Sequence, residues 1–112
     1  MDLQEKDIGG IRVIALSGAL TADNAEPLCA AVERALPNPG RIVLDLAEMR
    51  SVDRAGIGIL ALLRDRVKKN SGQSLKLACL QVMPRSVFNM LKVSSRFEMY
   101  DTIPAALDSF RG

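Results

Sequence analysis

Apolar positions along the chain follow two rhythms, short β-branched runs and longer stretches spaced at helical intervals. Both meet in residues 42–60, IVLDLAEMRSVDRAGIGIL. Ile42 to Leu46 is apolar on both faces apart from Asp45, which suits a central parallel strand. Asp45 is placed to accept hydrogen bonds from the loop that follows. Asp53-Arg54-Ala55-Gly56 then opens a long amphipathic segment, predicted helical from about Arg54 to Asn70. Its inner stripe is Gly56, Leu60, Leu63 and Val67, with Ile59 beside it and Arg64, Asp65 and Lys68 facing away. Ile57 falls outside that stripe. It is either a scattered surface hydrophobe or a contact point at the exposed first turn. A helix start of this kind leaves free backbone N–H groups and a partial positive charge, which suit an anion or a partner surface.

The flanking patterns supply the other elements. Leu3 to Asp7 reads as a short polar strand, Gly9-Gly10 as a hairpin turn, and Ile11 to Leu16 as a second strand broken by Ser17-Gly18. Thr21 to Leu36 is predicted helical, capped by Thr21 or Asp23, with Leu28, Ala31, Val32 and Ala35 on one face. Pro37-Asn38-Pro39-Gly40 ends it. After the turn Ser71-Gly72-Gln73, Leu75 to Leu80 alternates through Lys76 as a strand. Pro84 starts a third helix whose apolar face is Val87, Met90 and Leu91. Ser94-Ser95-Arg96 is a loop, Phe97 to Tyr100 a short extended piece, and Ile103 to Phe110 a last helix capped by Asp101 or Thr102. Strands alternating with helices imply right-handed crossovers. The expected fold class is therefore α/β, one domain over residues 1–112. Its mixed, mostly parallel sheet of four to five strands has an antiparallel first edge and about four helices.

Composition narrows the function. A chain of 112 residues buries roughly 65% of its unfolded surface and needs no staples. The net charge of +2, with cations and acids interleaved, one Tyr and no Trp, argues against nucleic acid. No apolar run reaches the roughly 18 residues of a membrane span, so no direct membrane insertion is expected. The acidic start MDLQEKD is no secretory signal, and the expected location is cytoplasmic. Cys29 and Cys79 lie among apolar neighbours and are expected to be small buried hydrophobes in a reducing compartment, with a disulfide as the alternative. The chain has no histidine, which removes the commonest general base and the commonest metal ligand. Asp45 and Asp53 have no base, nucleophile or metal cluster beside them, so neither a catalytic residue, nor a metal, nor a cofactor is expected. Gly56 and Gly58 are too sparse for a phosphate cradle. Gly56 suits close helix-on-sheet packing. Gly58 costs up to about 1 kcal/mol against alanine in a helix interior, which a flat contact face would explain. Asp53 is the helix N-cap, a contact residue, or both.

Taken together, Ser17-Gly18-Ala19-Leu20, Val43-Leu44-Asp45-Leu46 and above all Val52-Asp53-Arg54-Ala55-Gly56-Ile57-Gly58 resemble a STAS domain of the anti-sigma factor antagonist type. Leu91-Lys92-Val93-Ser94, Tyr100-Asp101-Thr102 and Ala106-Leu107 are weaker matches. The resemblance implies a STAS-like fold and a non-catalytic binding module of a bacterial partner-switching pathway. Its partner would be an anti-sigma factor serine kinase, which releases a sigma factor when the antagonist binds and ends the exchange by phosphorylating a Ser or Thr at the start of the second helix. The implied partner-binding residues are Asp53, Arg54, Ala55, Gly56 and Ile57, with Thr21, Asp23 and Ser51 at the rim, on a monomer or weak dimer.

The chain departs from that pattern where it matters most. The position matching the phosphoacceptor is Ala55, which has no hydroxyl, and Arg54 stands where Ser or Thr is common. Ala19-Leu20-Thr21 replaces a common Glu-Leu-Asp, with Asp23 as a stand-in. Ser94-Ser95 replaces Thr-Gly. Three readings stay open: an antagonist its kinase cannot switch off, phosphorylation moved to Ser51, or service in another system. The last would be an accessory subunit of a lipid-transport ABC complex gripping the ATPase subunit, or a weak nucleotide-binding regulatory domain.

Overall fold

Gly9 and Gly10 both take positive φ, 57° and 81°, the conformation a tight hairpin requires. They join β1 (Asp2–Ile8) to β2 (Ile11–Leu20) as an antiparallel edge. The computed structural model describes residues 1–36 and 40–111. β3 (Ile42–Val52), β4 (Leu75–Ala78) and β5 (Glu98–Tyr100) add in parallel, giving one five-stranded sheet in the order β1-β2-β3-β4-β5. The helices are α1 (Glu26–Ala35), α2 (Arg54–Ser71), α3 (Val82–Met90) and α4 (Ile103–Ser109). The expected fold class therefore holds, antiparallel edge included. The proline-rich turn expected at 37–39 lies outside the described residues.

Alternation along the strands divides the core between the two faces of the sheet. Ile14, Leu16, Ile42, Leu44, Leu75 and Leu77 point to one face, where they meet Leu28 and Val32 of α1, Leu60 and Val67 of α2, and Phe88 of α3. Ile11, Val13, Val43 and Ala78 point to the other, where Ala106 of α4 covers them. The inner stripe expected for α1 is its set of buried residues, and the stripe expected for α2 is buried together with Ile57.

Several boundaries differ from the sequence pattern, each for a local reason. Ser17-Gly18 does not end β2. Gly18, at φ 91°, is absorbed as a register shift against β3, and pairing resumes to Leu20 opposite Val52. β3 likewise runs past Leu46, because β2 pairs with it to Val52 although β4 stops at Asp45. Neither Thr21 nor Asp23 caps α1. The helix starts later, after Ala25, which makes no side-chain cap. Asn24 closes the preceding turn instead, its Oδ1 accepting from Thr21 N–H at 2.9 Å and its Nδ2 donating to the Ala19 carbonyl at 2.7 Å. α3 begins two residues before Pro84. Its buried face is Pro84 and Phe88, whereas Met90 is exposed. The Phe88 ring meets Phe97 edge to face at 5.4 Å, a favourable aromatic geometry. Ser94–Arg96 forms a short 3-10 turn.

Lys76 is the buried polar exception. The face that alternation assigns to it is roofed by α4 and only 5% of the residue is exposed. Its ammonium donates to Ser109 Oγ at 2.6 Å, stands 3.7 Å from Glu98, and lies 4.1 Å from the centre of the Phe110 ring. Cys29 and Cys79 are free thiols and half-buried rather than fully buried.

Candidate functional site

The start of α2 is held by the far ends of β2 and β3. Asp53 leaves the sheet in an extended conformation and its Oδ1 accepts from Gly56 N–H at 2.7 Å, the N-cap bond of a helix. Its own N–H donates to the Leu20 carbonyl at 3.4 Å, which ties the turn to the end of β2. Gly56 packs directly on that end. A Cβ at this position would stand 2.8 Å from a Val52 methyl and closer still to the Leu20 carbonyl oxygen. Asp45 is occupied locally, accepting from Ala47 N–H at 3.1 Å.

Of the eight residues expected at the site, Asp53 to Ile57 open α2 and have distinct roles. Asp53, Arg54 and Ala55 are exposed on the first turn of α2. Thr21, half-buried, and Asp23, exposed, lie in the adjoining loop after β2. Gly56 is buried beneath the turn. Ile57 is the correction: it is 5% exposed and belongs to the main core, so it is no exposed contact point of the first turn. The outward positions past Ala55 are Gly58 and Leu62, the latter 69% exposed. Ser51, the alternative phosphosite, is exposed but lies in β3 rather than in a loop.

Two features escaped the sequence pattern. Val82 and Met83, at the start of α3, are 79% and 74% exposed and flank a shallow surface with Glu48 and Arg50 of β3. Two apolar residues directly before a helical proline were the available signal. The second is a groove along α2 of about 270 Å³. Ile57, Ala61, Leu91, Val93 and Phe97 form its floor, and Arg54, Arg64 and Arg96 its rim. Arg96 comes from the 3-10 turn, and nothing in its local sequence signals that it stands beside α2.

Burial, reinforced by the nearby Asp45, pushes the Cys79 thiol above its usual range, and burial does the same for Cys29. Both therefore hold their protons at neutral pH and are poor nucleophiles. Among the described residues no three His, Cys, Asp or Glu side chains gather as a metal site. None of the described helices is long and apolar enough to cross a membrane.

With this geometry in view, the comparisons are specific about the fold. The family model described as the STAS domain matches residues 2–106. No curated protein matches the sequence. Solved structures do match. A Thermotoga maritima protein provisionally assigned as an anti-sigma factor antagonist superimposes with a TM-score of 0.85 at 20% identity, covering 98% of this chain and 95% of its own. An anti-sigma factor antagonist from Mycobacterium paratuberculosis gives 0.81 at 21% identity, over 99% of this chain and 94% of that one. The anti-sigma factor antagonist SpoIIAA in its unphosphorylated form gives 0.77 at 24% identity, over 99% and 97%. At these identities the likeness establishes the architecture.

Proposed function

Since this chain belongs to the STAS domain family, we propose that it is an anti-sigma factor antagonist-like binding module whose partner is an anti-sigma factor serine kinase. Asp53, Arg54 and Ala55 form the centre of the contact, Gly58 continues it along α2, and Thr21, Asp23 and Ser51 form its rim. Gly56 and Ile57 act from beneath, by holding the turn against the sheet.

The observation that carries this reading is the exposed methyl of Ala55 on the first turn of a capped helix. A hydroxyl there would be open to a kinase. A phosphoryl group would bring about −1.5 to −2 charges into the contact. The methyl cannot receive one, so the complex persists through the step that would otherwise end it. The chain is then controlled by its amount or by a competing protein.

The test uses the purified chain, the serine kinase anti-sigma factor of the same cell and ATP. A stable complex without phosphate incorporation is expected. Ala55→Ser should accept phosphate and then leave the complex. Phosphate found on Ser51 of the unaltered chain would move the switch to β3. Failure to bind the kinase, together with capture of an ABC ATPase subunit, would transfer the module to a transport complex.

A further inference from the structure

We propose that the groove beside α2 takes an acidic amphipathic segment of the partner protein, with apolar side chains on its floor and carboxylates on Arg54 and Arg96. This deepens the binding reading above and rests on it for the existence of a protein partner.

The rim carries more positive charge than the fold uses. Arg64 is committed: it donates to the Arg96 carbonyl at 2.6 Å, pairs with Asp65 at 3.0 Å, and lies 5.1 Å from the centre of the Phe97 ring. Arg54 and Arg96 form no ion pair among the described residues, and both are exposed. A guanidinium offers a planar fork that matches a carboxylate. Two of them lining a groove with an apolar floor suit a segment that alternates acids with aliphatic side chains.

The helix itself is shaped for close approach. Gly58 is exposed and nothing lies within 4 Å of where its Cβ would stand, so packing within the fold does not demand a glycine there. Gly58 lines the groove without a side chain, and Ala61, one turn on, adds only a methyl. The same features disfavour a nucleotide. Phe97 is only 7% exposed and lies beneath the Arg64 guanidinium, which leaves no aromatic plate for a base, and no glycine-rich loop borders the rim.

A random dodecapeptide display selection against the full chain tests this without knowledge of the partner. Enriched peptides should carry several acids and apolar residues at helical spacing. Synthetic copies should shift the amide resonances of Gly58, Ala61 and Val93. Arg54→Ala and Arg96→Ala should each weaken them by roughly tenfold, and added salt should weaken them further. Gly58→Leu, whose Cβ would stand in open space, should abolish binding while the thermal transition is kept. Enrichment of neutral or basic peptides would overturn the proposal, as would acidic peptides indifferent to all three substitutions. So would ATP or anionic vesicles that compete for the same resonances more tightly than the peptides. Peptides that bind only at Thr21, Asp23 and Ser51 would remove the groove but keep the interface. No enrichment at all would remove the groove, and the kinase experiment would then judge the interface separately.

Discussion

Gly56 and Gly58 stand two positions apart on α2 and answer to different constraints. Gly56 faces inward, where a Cβ would collide with the Leu20 carbonyl and with Val52. Neither neighbour can yield cheaply, since one is backbone and the other is packed in the core. Gly56→Ala should therefore destabilise by roughly 1–3 kcal/mol. Gly58 faces open space, so Gly58→Ala should gain up to about 1 kcal/mol from helix propensity alone. Urea denaturation of the pair checks this, with the midpoints moving in opposite directions and the slopes unchanged. A stabilised Gly56→Ala would mean that the turn is looser than its geometry. The residue between them sets a limit on how the surface can be probed. Ile57 is buried, so Ile57→Asp would place an unpaired carboxylate in the core, at a cost of about 3 kcal/mol or more. Thermal denaturation should show a large loss. A variant as stable as the parent would return Ile57 to the surface and to the list of contacts.

At the scale of the element, the question is what Asp53 does for α2. Its carboxylate accepts from Gly56 N–H and also lies beside the positive end of the helix dipole. Asp53→Ala should lose the cap, about 1 kcal/mol, whereas Asp53→Asn keeps an accepting oxygen and should lose about half as much. If Asp53 also touches the partner, the asparagine variant will bind the kinase less well while keeping nearly all of its stability. An alanine variant with parental stability would remove the capping role. The sequence showed this helix well, because eighteen residues with a regular apolar stripe leave little room for another structure. It showed α1 less well. Thr21 and Asp23 are good caps by type, yet Asn24 closes a turn that contains both ahead of the helix, and competition between neighbouring polar residues is settled by geometry alone. The length of β3 was hidden for a related reason. Ala47, Glu48 and Arg50 are exposed and do not look like strand, and they remain extended because β2 pairs alongside. The three-arginine rim was invisible, since Arg96 joins Arg54 and Arg64 of α2 only through the packing of that helix against the turn before β5.

Across the whole molecule, stability has an acid limb and an alkaline limb, carried by different groups. On the α1–α2 side Glu33 is bonded to Arg66 at 2.7 Å and 3.2 Å, and that bond holds the Glu33 carboxyl below its usual range. Its contribution is present above the ordinary carboxylate pKa and is lost as pH falls through the lowered value. Both groups are half-exposed, so this acid limb is shallow. The alkaline limb comes from the thiols. Cys29 lies in α1 and Cys79 at the end of β4, and burial raises both. The native chain then holds these protons more firmly than the unfolded chain does. The stability this provides is complete below the ordinary thiol pKa and disappears as pH rises through the raised values. Stability should accordingly fall as pH climbs through the alkaline thiol range, and the fall should be smaller in Cys29→Ala/Cys79→Ala. Denaturant midpoints collected over that range for both proteins provide the measurement. Equal slopes would show that the thiols are hydrated in the native state. A thiol-reactive reagent gives an independent check: at neutral pH both cysteines should react more slowly in the folded chain than in the unfolded one, because a protonated, half-covered sulfur attacks poorly.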